Sequence, residues 1–183
     1  MTIALASPSP LRDGEVALLP IDPGVAALIV AASHDPEVTR WTQIPEHLSL
    51  VDAGMVTAGW AMSRGSSVRL QVCTPEHAPA GMVTLWINAE GEVEVGYWLL
   101  EAARGRGVGR RAVALVCEWA FEVCGLDRLQ LTTLPGNVAS ERVAAACAFV
   151  RQGTVIRDIK GSARTLQLWV RRRDVAQRAS MGT

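Results

Sequence analysis

Residues 93–109 read VEVGYWLLEAARGRGVG, and this stretch decides the fold. Its first eight residues are mostly β-branched, aromatic or apolar, as a strand requires. Arg104-Gly105-Arg106-Gly107-Val108-Gly109 then interrupts any regular element. Beyond it the period changes. Val108, Ala112, Leu115, Val116, Trp119 and Val123 recur at spacings of four, three, one, three and four, which is one face of an α-helix, and Gly125 is its C-terminal stop. A glycine loop between a strand and a helix N-terminus is suited to an anion. The glycines let backbone N–H groups approach without a Cβ in the way, and the helix adds free N–H groups and the positive end of its dipole. Arg104, Arg106, Arg110 and Arg111 supply four positive charges, as a pyrophosphate site needs. No Gly-x-x-x-x-Gly-Lys-Ser/Thr occurs, and the even spacing of Gly105, Gly107 and Gly109 does not fit G-x-G-x-x-G.

Working outward, residues 129–133 form the next strand. Pro135-Gly136-Asn137 turns the chain into a helix over 138–148, and strands over 154–159 and 165–170 close a hairpin around Lys160-Gly161-Ser162. On the other side, strands over 68–73, 81–87 and 93–100 make an antiparallel meander, with a turn at residues 88–91. The N-terminal part predicts a strand over 16–19, a short helix over 25–32 and a loop over 35–48. A helix then starts from the Ser49 cap, with Asp52 three residues on, and runs to about Met62. The strands 93–100 and 129–133 are joined by a helix, so they should be parallel with a right-handed crossover. The class is mixed α/β: a mostly antiparallel seven-stranded sheet with one central parallel pair and helices on both faces.

At 183 residues one domain is expected over 1–183, with a core at 11–172 and a polar tail at 173–183. A hydrophobic share of 49% supports a real core, and zero formal net charge removes any global pull towards nucleic acid or an anionic membrane. Cys73, Cys117, Cys124 and Cys147 form no C-x-x-C pair and read as reduced thiols. His34, His47 and His77 lack metal-ligand spacing, so no metal is expected. The first ten residues lack the pattern of a signal peptide, and residues 25–32 are too few to span a bilayer. The expected compartment is cytoplasmic.

Gly96-Tyr97-Trp98-Leu99-Leu100, the Arg104–Gly109 loop and Asn137-Val138-Ala139-Ser140 together resemble the GNAT N-acetyltransferase superfamily, most closely its RimJ/RimL branch. The likeness is strongest over residues 81–153. It implies that acetyl-CoA is the cosubstrate, bound where the parallel pair splays apart. Arg104, Gly107 and Gly109 match the Arg/Gln-x-x-Gly-x-Gly/Ala signature, so Arg104, Gly105, Arg106, Gly107, Val108, Gly109 and Arg110 would surround the pyrophosphate. The backbone at Trp98, Leu99 and Leu100 would pair with the pantetheine arm, and Asn137 and Ser140 would contact coenzyme A near its thiol. Two departures stand out. Many relatives carry a tyrosine acid after the last helix, whereas the single tyrosine here is Tyr97. Relatives often end that helix Gly-Phe, whereas this chain has Ala148-Phe149.

Acetyl transfer to an amine needs a base, an oxyanion donor and a proton for the thiolate. Glu94 is the candidate base, or else a solvated strand carboxylate; Glu92 is the weaker candidate. A backbone N–H near residues 95–98 is the candidate oxyanion donor. Ser140 is the candidate thiolate donor, or else a helix-start hydroxyl satisfying local backbone, and Asn137 could equally be the helix cap. The acceptor is a primary amine, on a protein N-terminus or a small molecule. Trp41, Trp60 and Trp86 are candidate walls, with Glu94 nearby, and Trp119 belongs to the core. Asp35, Glu37, Glu46 and Asp52 could attract the amine. The alternative is a coenzyme A-binding sensor without efficient catalysis. No nucleic-acid or membrane partner is expected, and a homodimer is compatible with the family.

Overall fold

The structure, a computed structural model, describes residues 5, 8–60 and 65–174. In chain order the elements are β1 (Leu11–Arg12), β2 (Ala17–Pro20), α1 (Val25–Ser33), α2 (Pro36–Trp41), α3 (Leu50–Trp60), β3 (Ser67–Cys73), β4 (Gly81–Ile87), β5 (Val93–Leu99), α4 (Val108–Glu122), β6 (Arg128–Thr133), α5 (Val138–Ala146), β7 (Val150–Ile159) and β8 (Ser162–Arg172). The expected end of α3 near Met62 and most of the expected tail lie outside the described residues.

The strands form one sheet in the order β1-β2-β3-β4-β5-β6-β8-β7. It has eight strands, not seven. The additional one is β1, a two-residue edge strand that pairs Leu11 with Leu18. It turns back tightly at Asp13 and Gly14, where Asp13 accepts the Val16 N–H at 2.8 Å, and two residues are too few to show alternation. The other pairings are antiparallel except β5 with β6. That parallel pair is short, with Glu94 opposite Gln130 and Val95 opposite Leu131. Beyond it, β5 stays paired with β4 as far as Leu99, while β6 stays paired with β8 as far as Thr133. The two central strands therefore splay after Val95, each held by its outer neighbour.

Alternation along β5 assigns its two faces. Val93, Val95 and Leu99 pack into the main core with Val108, Ala112 and Val116 of α4 and Ala144 of α5. Trp98 packs on the opposite face, beside a second core of Val25, Leu28, Ile29, Ala53 and Met82 that α1 and α3 build against β4. Trp119 is buried as expected, at 6% exposure. Val123 is not on the buried face: α4 ends at Glu122, and Val123 is 73% exposed just before Gly125 turns at φ +67°.

Residues 35–48 are not all loop. Asp35 caps α2, accepting from the N–H groups of Glu37 at 3.1 Å and Val38 at 3.3 Å, and Pro36 occupies the first turn. Six residues are too short for an apolar period to emerge. The Ser49 cap is as expected: its hydroxyl accepts the Asp52 N–H at 3.1 Å, and Asp52 accepts the Ser49 N–H at 3.2 Å. The final hairpin runs longer than its expected bounds because β7 is largely exposed and so carries little alternating signal.

Helix α5 ends in two bonds, Phe149 N–H to Ala144 O at 3.0 Å and Ala148 N–H to Ala145 O at 3.1 Å. This is the Schellman pattern, and it places Ala148 at φ +60°. A left-handed alanine is strained, whereas glycine is not. Ala148→Gly is therefore expected to stabilise the fold by about 1 kcal/mol. Thermal unfolding should show Tm rising by about 2–4 °C; an unchanged or lower Tm would contradict this geometry.

Candidate functional site

The loop between β5 and α4 opens with a short 3-10 turn at Glu101–Ala103. Gly107 is the N-cap of α4 at φ +78°, and Gly105 lies at φ +73°. Both need the left-handed region, and a Cβ at either would meet nothing within 4 Å, so their outer side is open. Gly109 is glycine for a different reason. A Cβ there would stand 2.9 Å from Tyr97 Cε2, so α4 lies directly on β5. The first helical bond reaching back to the loop is Arg111 N–H to Gly107 O at 3.1 Å. The N–H groups of residues 105–110 have no backbone acceptor among the described residues. They are free donors at and before a helix N-terminus.

The four arginines are not equivalent. Arg104 Nη2 meets Asp35 Oδ2 at 2.5 Å, and Arg104 Nε donates to Leu99 O at 2.9 Å. Arg106 pairs with Glu76 at 3.5 Å, and Arg111 with Asp13 and Glu15, each at 3.1 Å. Arg110 is exposed and makes no ion pair among the described residues. The sequence placed all four charges near one anion, but three of them are directed towards carboxylates of distant segments.

The splayed edge of β5 can be assigned by elimination. The Leu100 N–H is taken by Ala80 O at 2.9 Å, on the β4 side. In-plane groups alternate along a strand, so Trp98 also faces β4, and Tyr97 and Leu99 face the gap. Among the backbone groups singled out at Trp98, Leu99 and Leu100, those of Leu99 therefore face the gap, and Tyr97 joins them. Leu99 O is already held by Arg104.

Glu94 is 3% exposed and is not a solvated strand carboxylate. Thr132 Oγ1 donates to it at 2.5 Å and Asn88 Nδ2 at 3.4 Å. Trp86 is its direct partner across β4 and β5, and the Trp86 ring covers Gly96, where a Cβ would stand 2.9 Å from Cζ3. Trp86 and Glu94 are thus brought together on the α1–α3 face. Trp41 is held on α2 itself, where its Nε1 donates to Glu37 at 2.9 Å and Arg40 lies 4.5 Å over its ring. Trp60 stacks under Arg69 at 4.9 Å. Glu92 pairs with Arg128 at 2.5 Å. Of the acidic groups expected to attract an amine, Asp35 and Asp52 cap helices and Glu37 holds Trp41. Asp35 lies below the ordinary carboxyl range: burial pushes it up, but Arg104 and the Val38 and Glu37 N–H groups outweigh that.

On the opposite face, Asn137 caps α5, its Oδ1 accepting the Ser140 N–H at 3.1 Å. This confirms its capping function and fixes Ser140 in the first turn. Tyr97 lies beside Ser140. Burial pushes its hydroxyl up to about 12, opposed by a hydrogen bond with Ser140. Cys147 Sγ reaches Arg110 O at 3.4 Å, tying α5 to the start of α4. Sequence reasoning missed Thr132 and Asn88 around Glu94. Thr132 lies two residues beyond Gln130, the register partner of Glu94, so strand pairing was the signal that could have found it.

The site is thus a parallel strand pair that splays beside a glycine loop and a helix N-terminus. Residues 16–150 match the family described as Acetyltransferase (GNAT) domain, and the chain belongs to that family. A curated relative is the Probable N-acetyltransferase YjcK of Bacillus subtilis (strain 168), 31% identical over 83 residues. The match covers 44% of this chain and 46% of that relative, less than half the length of each. Among solved structures the chain is similar to RimL, a ribosomal L7/L12 alpha-N-protein acetyltransferase in complex with coenzyme A. The TM-score is 0.76 at 18% identity, over 90% of this chain and 98% of that one. It is likewise similar to Mycobacterium smegmatis RimJ in complex with CoA-disulfide, with TM-score 0.75 at 20% identity, over 94% of this chain and 92% of that one. At these identities the structures establish a shared fold. No helix among the described residues is long and apolar enough to cross a membrane.

Proposed function

We propose that this chain is an acetyl-CoA-dependent N-acetyltransferase that moves the acetyl group to a primary amine, on a protein N-terminus or a small molecule, by direct attack on the thioester. The observation that carries this is the row of N–H groups at residues 105–110 with no backbone acceptor among the described residues, open above Gly105 and Gly107, beside the gap between β5 and β6. The residues fit acetyl-CoA. The donors suit a pyrophosphate, Arg110 is a cation with no ion pair among the described residues, and the Tyr97 carbonyl and Leu99 N–H on the open β5 edge suit the amide groups of a pantetheine arm. When bound, acetyl-CoA supplies an electrophilic thioester carbonyl and a thiolate leaving group.

The two faces of the sheet divide the proton work. Glu94 takes the amine proton on the α1–α3 face. Thr132 and Asn88 donate to its oxygens and hold the carboxylate in place for that transfer. The Tyr97 N–H, turned into the gap, donates to the carbonyl oxygen as charge develops there. Ser140 donates to the departing thiolate from the α5 face, held in place by Asn137.

Purified protein incubated with acetyl-CoA and a panel of primary amines and short peptides, followed by thiol release, tests this function. Turnover on at least one acceptor is expected. Tight coenzyme A binding with no turnover on any acceptor would instead favour a coenzyme A sensor.

A further inference from the structure

Helix α2 is held mainly by its ends. Only Val38 and Thr39 of its six residues are buried, and a helix this short has no stability of its own. At its N-terminus Asp35 divides its carboxylate: one oxygen caps the helix, and the other meets Arg104, the first residue of the cofactor loop. At its C-terminal end Lys160 Nζ donates to Thr39 O at 2.6 Å. Beyond it, Gln43 bonds the same hairpin tip, through Asp158 O at 2.8 Å and the Lys160 N–H at 3.0 Å. Helix α2 thus bridges the α1–α3 face between the loop and the β7–β8 tip.

The Arg104 side chain is committed within the protein. Its Nε bonds Leu99 O, its Nη2 bonds Asp35, and its backbone N–H goes to Glu101 O at 3.1 Å. Its charge is balanced by a carboxylate 12% exposed, so solvent screens the pair only partly.

Resting on the proposed acetyl-CoA site, we infer that Arg104 is a positioning residue, which through Asp35 couples the cofactor loop to helix α2 on the acceptor side, and is not itself a phosphate ligand. A loop ordered by phosphate on residues 105–110 holds Arg104 still, and a fixed Arg104 lowers the entropy cost of docking α2. The coupling is reciprocal, so a docked α2 favours the loop's bound form.

Hydrogen exchange over residues 36–42, with and without coenzyme A, tests this alongside calorimetry. Asp35→Asn keeps a capping side chain but removes the charge, and Arg104→Gln removes the other partner. In the unsubstituted protein, coenzyme A should slow exchange in α2 by about 5-fold or more. Both variants should lose that response while still binding coenzyme A within about 5-fold of the unsubstituted affinity, and the double variant should add nothing further. If coenzyme A binds but leaves α2 exchange unchanged, the coupling is refuted. Arg104→Gln weakening coenzyme A more than about 10-fold while Asp35→Asn tightens it would make Arg104 a phosphate ligand, and also refutes it. If the unsubstituted protein does not bind coenzyme A at all, the proposed function fails instead.

Discussion

Gly107→Glu is expected to raise the dissociation constant for coenzyme A by at least about 100-fold, which corresponds to about 2.7 kcal/mol. Two effects add. Gly107 sits at φ +78° as the N-cap of α4, a conformation costing an L-residue about 1–2 kcal/mol. The new carboxylate would also stand in the open space above the loop, at the positive end of α4 and facing the proposed pyrophosphate site. Gly107→Asn separates the two, because asparagine tolerates the left-handed region and brings no charge. It should lose less than about 10-fold. Calorimetry below the unfolding transition of each variant is the measurement. Unchanged affinity in Gly107→Glu would place the cofactor elsewhere.

Glu94→Gln is expected to lower kcat by about 100-fold, the lower end of what a positioned general base contributes. Coenzyme A affinity should stay the same, because Glu94 faces the α1–α3 side while the loop sits at the start of α4. The amide keeps an oxygen for Thr132 but cannot accept a proton from an ammonium group. Single-turnover measurement with a saturating amine isolates this step from product release. Full activity in Glu94→Gln would remove Glu94 as the base, and its burial with Thr132 and Asn88 would then be structural.

Much of the framework was legible because its causes are local. The strand expected over 93–100, the glycine loop and the amphipathic α4 each follow from residues within a few positions of one another. So do the Ser49–Asp52 cap and the Asn137 cap. The parallel pair was also legible, since a helix of this length between two strands permits little else. Helix α2 was not, because six residues around a proline carry no period. Strand β1 escaped for the same reason.

The site was half legible. The sequence by itself determined the glycine loop and the helix start on which the proposed anion site rests, since both are properties of the local chain. It could not determine where the surrounding charges point. Arg104 meets Asp35 across 69 positions and Arg111 meets Asp13 across 98, and composition counted these arginines as free for the anion. Glu94 and Thr132 are 38 positions apart. Only the tertiary structure decided that Glu94 is buried and that Ser140 lies on the opposite face. The physical reason is range: backbone conformation is set by near neighbours along the chain, whereas a charged side chain takes the partner that sheet register and helix docking bring within hydrogen-bond distance.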